Sequence, residues 1–453
     1  MKRSTALSVV ALLVLAACEN NADDVEKPFA SRYEPLASNT TLLKGATILT
    51  GTGERLDNSD VLLRDGKIAA LGGDIDAGDA TVIDASAMWI TPGVIDVHSH
   101  LGVYATPHVP AHSDGNEMSM PVTAEVWAEH AVWPQDPGFV TAMAGGITTL
   151  QILPGSGNLI GGRSVTLKNV PGRNVMEMKF PGAPYGLKMA CGENPKRFYG
   201  GKGQSPMTRM GNVAGYRTAW IEAADYRDKM AAAEKGKGEA PMRDLRLETL
   251  AGVLDGEILV HNHCYRADEM SIMLDIAKEF GYRISSFHHA IEAYKVADLL
   301  AANDTCASMW ADWWGFKMEA FDTIRENAAL VDRAGACAII HSDDAYETQR
   351  LNQEVAKVMG AAARVDIDIA PERAIRWITS NPAKALGILE HTGTLEVGKM
   401  ADVVVWNGSP FSVYTKVDRV FIDGALTYDR NDPSVNPVTD FSLGMKVSAG
   451  GAE

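Results

Sequence analysis

Apolar and polar positions follow two rhythms along this chain. From about residue 40 to 90, short apolar alternations are broken by glycine and aspartate turns, as in "TTLLKGATILTG", "DVLLRDGKIAALG" and "ATVIDASAMWITPG". That two-residue period is the pattern of half-buried strands. The same style returns near the C-terminus in "GTLEVGKMADVVVWNG" and "KVDRVFIDGALTYD". Between them the chain repeats apolar strand, polar loop and helix, as in "GEILVHNHCYRADEMSIMLDIAKEFG" and "GACAIIHSDDAYETQRLNQEVAKVM". Such alternation predicts βα units, hence a parallel sheet or an eight-stranded barrel. Each flanking β segment is too small to bury a good core alone, but the two can pair. The expected architecture is a (β/α)8 barrel of the TIM type over 92–389, inserted in a small β-sandwich built from both chain ends, 39–91 and 390–430.

The apolar strands share an ending. "TPGVIDVHSHLG" runs into His98 and His100, which lie on one face of an extended strand about 7 Å apart. "EILV" runs into His261-Asn262-His263, "RISSF" into His288-His289, and "CAII" into His341-Ser342-Asp343-Asp344. In a βα barrel, reactive groups gather where strands run out into their following loops. Most of the 11 histidines sit in these four places. A lone strand-end histidine is ordinarily a satisfied polar residue, but four such endings in strand order point to a metal. Neutral imidazole and carboxylate are ligands suited to zinc and similar ions. Burying them without a cation would cost desolvation energy with nothing to offset it.

Composition narrows the class. The chain has 453 residues, 46% hydrophobic and 22% charged, enough to bury a large core. With 42 basic and 58 acidic residues the net charge is −16, which argues against a nucleic-acid partner. The N-terminus "MKRSTALSVVALLVLAAC" has two positive charges, a short apolar core and small residues before Cys18. It reads as a secretory signal over 1–17, too short for a comfortable membrane span. "LAAC" resembles a bacterial lipobox, which implies lipidation at Cys18, a polar tether over 18–38, and a periplasmic or cell-surface lipoprotein held to the membrane by lipid alone. Residues 431–453 read as a C-terminal tail. Cys191, Cys264, Cys306 and Cys337 contain no CxxC pair, and their spacing assigns no disulfide. A homo-oligomer is left open.

HxH ending the first barrel strand, histidines after the fifth and sixth, and aspartate after the eighth resemble the amidohydrolase superfamily. "ITPGVIDVHSH", "SNPAKALGI" and "GTLEVGKMADVVVW" are similar to its sandwich–barrel junction, post-barrel helix and return into the sandwich. The likeness spans roughly 40–430 and is greatest to the imidazolonepropionase-like and prolidase-like branch. It implies a metal-dependent hydrolase with one or two divalent ions, zinc the expected one, held by His98, His100, Lys188, His261, His289 and Asp343. His261 and His263 both fit the fifth-strand end; His261 is preferred because it directly follows the apolar run. His289 is preferred over His288, and Asp344 and His341 are expected beside the ligands. Lys188 would be the carboxylated lysine that bridges two metals, with Glu193 or Lys179 as alternatives.

The implied chemistry is hydrolysis of an amide, peptide or cyclic-amide bond. Asp343 would take a proton from the attacking water and return it to the leaving nitrogen. The carbonyl oxygen would rest on a second metal or on a protonated histidine from the fifth or sixth strand, such as His289. Arg163 in "GSGNLIGGRSVTLKN", placed after the third strand, together with Tyr265 and Arg266 after the fifth and Arg197 after the fourth, favours a small carboxylate-bearing substrate. A dipeptide or N-acyl amino acid fits. The alternatives are an imidazolonepropionase-like ring-opening lactam hydrolase and a non-catalytic metal- or solute-binding lipoprotein. Cys264, three residues after His261 where cytosine-deaminase relatives carry glutamate, disfavours a deaminase.

Overall fold

The computed structural model describes residues 29–439 except position 314. The signal peptide, Cys18 and most of the tether lie outside the described residues. Residues 31–33 lie against the folded body: Arg32 N donates to Met176 O at 2.8 Å and Ser31 Oγ to Lys179 O at 2.6 Å.

Strands β1 (Thr41–Leu49), β2 (Arg55–Arg64), β3 (Lys67–Gly72), β4 (Thr81–Asp84) and β5 (Trp89–Pro92) come from the N-terminal part. They join β14 (Val403–Trp406), β15 (Val417–Ile422) and β16 (Ala425–Asp429) in one sheet, ordered β16-β15-β14-β5-β1-β2-β3, with β4 on β1. The seam is the antiparallel pair β5–β14, where Thr91 faces Val404 and Ile90 faces Val405. Alternate residues of these strands bury a core of its own, including Leu43, Ile48, Val61, Ile90, Val403, Val405 and Phe421.

The second sheet holds β6 (Val94–Ser99), β7 (Ile147–Ile152), β8 (Ile160–Lys168), β9 (Gly186–Ala190), β10 (Leu259–Cys264), β11 (Ile284–His289), β12 (Cys306–Met309) and β13 (Cys337–Ile340), paired in sequence order. It curls into a nearly closed barrel. The gap between β13 and β6 is bridged by Asp343 N, which donates to His98 O at 2.9 Å. Around it lie α1 (Pro137–Ala144), α2 (Glu193–Gly200), α3 (Arg209–Glu234), α4 (Leu245–Leu254), α5 (Ala267–Phe280), α6 (Ala297–Ala302), α7 (Asn327–Arg333) and α8 (Leu351–Ala363). Among the described residues no helix is long and apolar enough to cross a membrane.

One strand departs from the expected parallel pattern. β8 runs antiparallel to both β7 and β9. The short "PGSGN" reversal returns the chain directly, with no helix to carry it back for a parallel strand. Gly162 makes the register possible: its φ is +113°, and an added Cβ would lie 2.3 Å from Val126 O. Arg163 therefore sits inside the third strand, where the sequence had suggested a loop beyond it.

All four described cysteines are paired. Cys191–Cys264 ties the C-terminal ends of β9 and β10 across 73 residues of chain, and Cys306–Cys337 ties the N-terminal ends of β12 and β13 across 31.

Candidate active site

The C-terminal ends of the barrel strands carry the histidines. His98 and His100 project from β6 and the residue after it, on the same face as Asp96. His100 Nδ1 donates to Leu153 O at 2.9 Å, since a carbonyl only accepts, and this bond turns Nε2 toward the site. That Nε2 lies 3.2 Å from Asp343 Oδ1, and His98 Nε2 lies 3.3 Å from the same oxygen. Lys188 Nζ reaches His98 Nε2 at 3.3 Å, and His289 Nδ1 lies 3.9 Å from Asp343 Oδ2. Two sets of donor atoms, His98–His100–Asp343 and His98–His289–His341, each fall within 4.8 Å of one another.

Backbone conformation aims two of these groups. His289 and Asp343 have φ of +69° and +60°, left-handed values uncommon outside glycine. Strain held at strand ends is typical of functional sites. Asp96, which sequence reasoning passed over, holds the junction. Its carboxylate accepts from His98 N at 3.1 Å, Ser342 N at 3.3 Å, Thr348 Oγ1 at 3.0 Å and also Ser342 Oγ. It thus locks the first strand to the loop after the eighth. Burial pushes its carboxyl up to about 6, against those hydrogen bonds. A lone acid in the apolar run "VIDVHSH", two positions before His98, was the available signal.

The paired histidines separate into two layers. His288 lies deeper, its Nδ1 2.8 Å from His98 Nδ1 and its Nε2 2.9 Å from His261 Nδ1. His263 is nearer the mouth, its ring 4.6 Å from that of His289, and neither of its nitrogens has a partner among the described residues. Burial holds the imidazoles neutral: His261 and His341 fall to about 3, and His98, His263, His288 and His289 fall well below the usual range. Burial also lowers the Lys188 amine to about 8.

A divalent cation fits this donor set. His261 Nε2, His263 Nδ1 and Nε2, His289 Nδ1 and His341 Nδ1 are buried and without hydrogen-bond partners among the described residues. Neutral imidazoles with free lone pairs, a carboxylate and an uncompensated lysine are what such an ion would satisfy.

The other expected residues are distributed differently. Tyr265 is buried beside the cluster, its ring 4.7 Å from His263 and 5.3 Å from His289. Arg163 is directed away, donating to Thr249 Oγ1 at 2.8 Å with its guanidinium 4.2 Å from the Trp127 ring. Arg266 pairs with Asp268 at 2.8 Å, and Arg197 is exposed on α2. Asp344 caps its own turn, accepting from Tyr346 N and Glu347 N at 2.7 and 3.0 Å. Lys179 pairs with Glu129 at 2.7 Å, and Glu193 opens α2. Trp310 stacks on His289 at 4.2 Å and donates to Ser342 O at 3.0 Å. Its only signal in the sequence is its place in the aromatic-rich stretch "MWADWWGFKMEAF", which does not distinguish this role from core packing.

Comparison with known proteins decides the family. A crystal structure of an amidohydrolase from Thermotoga maritima MSB8 superimposes with a TM-score of 0.80 at 34% identity, covering 86% of this chain and all of that one. The chain belongs to the amidohydrolase family. The family's sequence profile matches residues 224–427. Amidohydrolase tasK of Hapsidospora irregularis is 32% identical over 403 residues, 83% of this chain, which spans 40% of that relative's length. An imidazolonepropionase of Rhizobium rhizogenes is 23% identical over 398 residues, covering 78% of this chain and 88% of that protein. As an amidohydrolase, the chain is a hydrolase acting on carbon–nitrogen bonds, and its histidine cluster is a metal-site candidate in a family that generally depends on divalent metals.

Proposed function

We propose that this amidohydrolase cleaves the amide bond of a small carboxylate-bearing substrate, such as a dipeptide or N-acyl amino acid. The observation that carries the chemistry is the convergence of His98 Nε2 and His100 Nε2 on Asp343 Oδ1 at 3.3 and 3.2 Å. His98, His100, Lys188, His289 and Asp343 would hold zinc, one or two ions per chain. At the fifth strand His263 is favoured over His261, because His261 Nδ1 is engaged by His288 and only its Nε2 is unpartnered, while both ring nitrogens of His263 are. When bound, the cation supplies Lewis acidity that makes water a stronger acid and draws charge from the carbonyl oxygen.

The remaining work belongs to side chains. Asp343 takes the proton of the attacking water and delivers it to the leaving nitrogen. Leu153 O fixes the His100 tautomer, and the bonds to Asp96 hold the strand ends on which His98 and Asp343 stand. Trp310 and Tyr265 cover His289 and keep bulk water from that side. Zinc-reconstituted full-length protein should hydrolyse members of a panel of Xaa-Pro and other dipeptides and N-acyl amino acids. Asp343→Asn should lower kcat by about 10²–10⁴ with the fold intact, and dialysis against a chelator should abolish turnover. Full activity of Asp343→Asn would overturn the assignment.

Ring opening of a cyclic amide is the second reading, favoured by the long match to an imidazolonepropionase. Cyclic ureides and lactams in the same panel separate the two. We further propose that the enzyme is exported and lipid-anchored through Cys18. The signal-like N-terminus supports this, as do the two disulfides, which persist in oxidising compartments. Palmitate should label the wild type and not Cys18→Ser; an unlabelled wild type would refute the anchor.

A further inference from the structure

The loop after β12 crosses the mouth of the barrel and carries Trp310, Lys317 and Glu319. Its anchor is Glu319, buried and ion-paired with Arg209, whose Nε also lies 3.1 Å from Glu269 Oε2. Glu319 further packs on Gly192, where an added Cβ would lie 2.7 Å from its carboxylate. Lys317, two positions earlier, is not part of that anchor. Its ammonium sits 4.0 Å from the centre of the Tyr265 ring, and among the described residues its one hydrogen bond is to a neutral acceptor, Asn194 Oδ1, at 3.1 Å. Among the described residues no carboxylate lies within ion-pair distance of it, although Glu319, Glu193 and Asp343 are close enough to act on it through space. A half-buried lysine without a counter-ion is costly unless something anionic joins it.

Position makes the missing anion a substrate group. The Tyr265 ring under the ammonium is the same ring that touches His263 and His289, and its hydroxyl makes no hydrogen bond to the described residues. Of the three arginines expected to bind a carboxylate, Arg163 is occupied by Thr249 and Trp127 and Arg266 by Asp268, while Arg197 is exposed on α2. We propose that Lys317 is the specificity-determining cation of this enzyme, which receives a free carboxylate of the substrate on the Tyr265 side of the histidine cluster. This rests on the amide-hydrolase reading above. It adds that the substrate is an acid, and that the acid is recognised from the loop after the seventh strand. A single ammonium beside a hydroxyl suits a carboxylate, whereas a phosphate dianion calls for several donors.

Matched pairs test it: dipeptides and N-acetyl amino acids against their C-terminal amides, with zinc-reconstituted full-length wild type, Lys317→Met and Lys317→Arg. Wild type should favour the acid over the amide by about 100-fold in kcat/KM, the scale of a buried charged hydrogen bond. In Lys317→Met the ratio should fall to about one, with the loss in the KM of the acid, and Lys317→Arg should restore most of it. Thermal shift by N-acetyl-leucine gives a readout without turnover. Wild type should be stabilised by the acid and not by its amide, and Lys317→Met by neither. No preference in wild type, or an undiminished preference in Lys317→Met, would overturn the role of Lys317 while leaving the hydrolase reading intact. If no amide is hydrolysed, the hydrolase reading fails, and equal shifts by acid and amide would then refute the anion site independently.

Discussion

Lys168 and Lys188 are both fully buried, yet their surroundings are opposite. Lys168, at the end of β8, faces the chain-end sheet. Its ammonium lies 3.1 Å from Asp402 and 2.6 Å from Asp423, and Tyr33 and Thr392 bond to the same pair of acids. Lys188, on the neighbouring strand β9, has a histidine nitrogen at 3.3 Å and no ion-paired carboxylate among the described residues. A buried cation with two acids is complete as it stands. One surrounded by neutral imidazoles is waiting for a partner, and a cation-bridging or carboxylated amine is what would complete it. The first lysine joins the barrel to the sheet; the second stands among the strand-end histidines.

Substituting both lysines by methionine should separate these roles. Lys168→Met leaves Asp402 and Asp423 buried without their cation and should lower stability by about 3–5 kcal/mol in denaturant unfolding. Lys188→Met removes an uncompensated amine, so its stability should match or exceed that of wild type. Its kcat/KM on the best substrate of the panel should nevertheless fall by about 10²-fold or more, as for loss of a metal-holding group. Equal destabilisation by the two substitutions would end the comparison.

The pH dependence of the metal-free protein sharpens it. Burial brings the Lys188 amine from 10.5 to about 8, with Asp343 pulling in the opposite direction. The unfolded chain keeps that proton up to about 10.5, so between these values it binds more protons than the folded chain. Raising pH through that window therefore favours folding. In carbon-dioxide-free buffer, wild type should gain up to about 3 kcal/mol over Lys188→Met between pH 7 and pH 10.5. Parallel curves for the two proteins would show that Lys188 is not the source.

The difference between the lysines also marks how far the sequence reaches. Lys188 was singled out by the family resemblance, which implies a lysine on the fourth barrel strand, and its apolar strand places it among the strand-end histidines. Lys168 was not, because its acids lie 234 and 255 residues further along the chain. The chain-end sheet and the barrel were legible from a change of apolar period. The reversal of β8 was not, since a two-residue period carries no direction. His261 and His263 could not be separated because they share a strand face; only the bonds of His288 distinguish them. Asp96 and Lys317 stood alone in their motifs, and their meaning comes from Ser342, Thr348 and Tyr265, brought to them by other elements.

The smallest expected effect lies on the surface beside the site. Arg266 follows the fifth-strand histidines directly, as a substrate-binding arginine would, but its guanidinium is paired with Asp268, two residues on, and both are exposed. Exposed pairs contribute little because water screens the charges and two long side chains must be held still. Arg266→Ala should therefore change stability by less than about 0.5 kcal/mol and leave the preference for acid over amide as in wild type. Next to Lys317→Met this is the control that matters: both remove one positive charge near the mouth of the barrel, and only the one resting on the ring that touches the histidines should alter KM. If Arg266→Ala reproduced the effect of Lys317→Met, the preference would come from the general field of the mouth and not from a seat for the carboxylate.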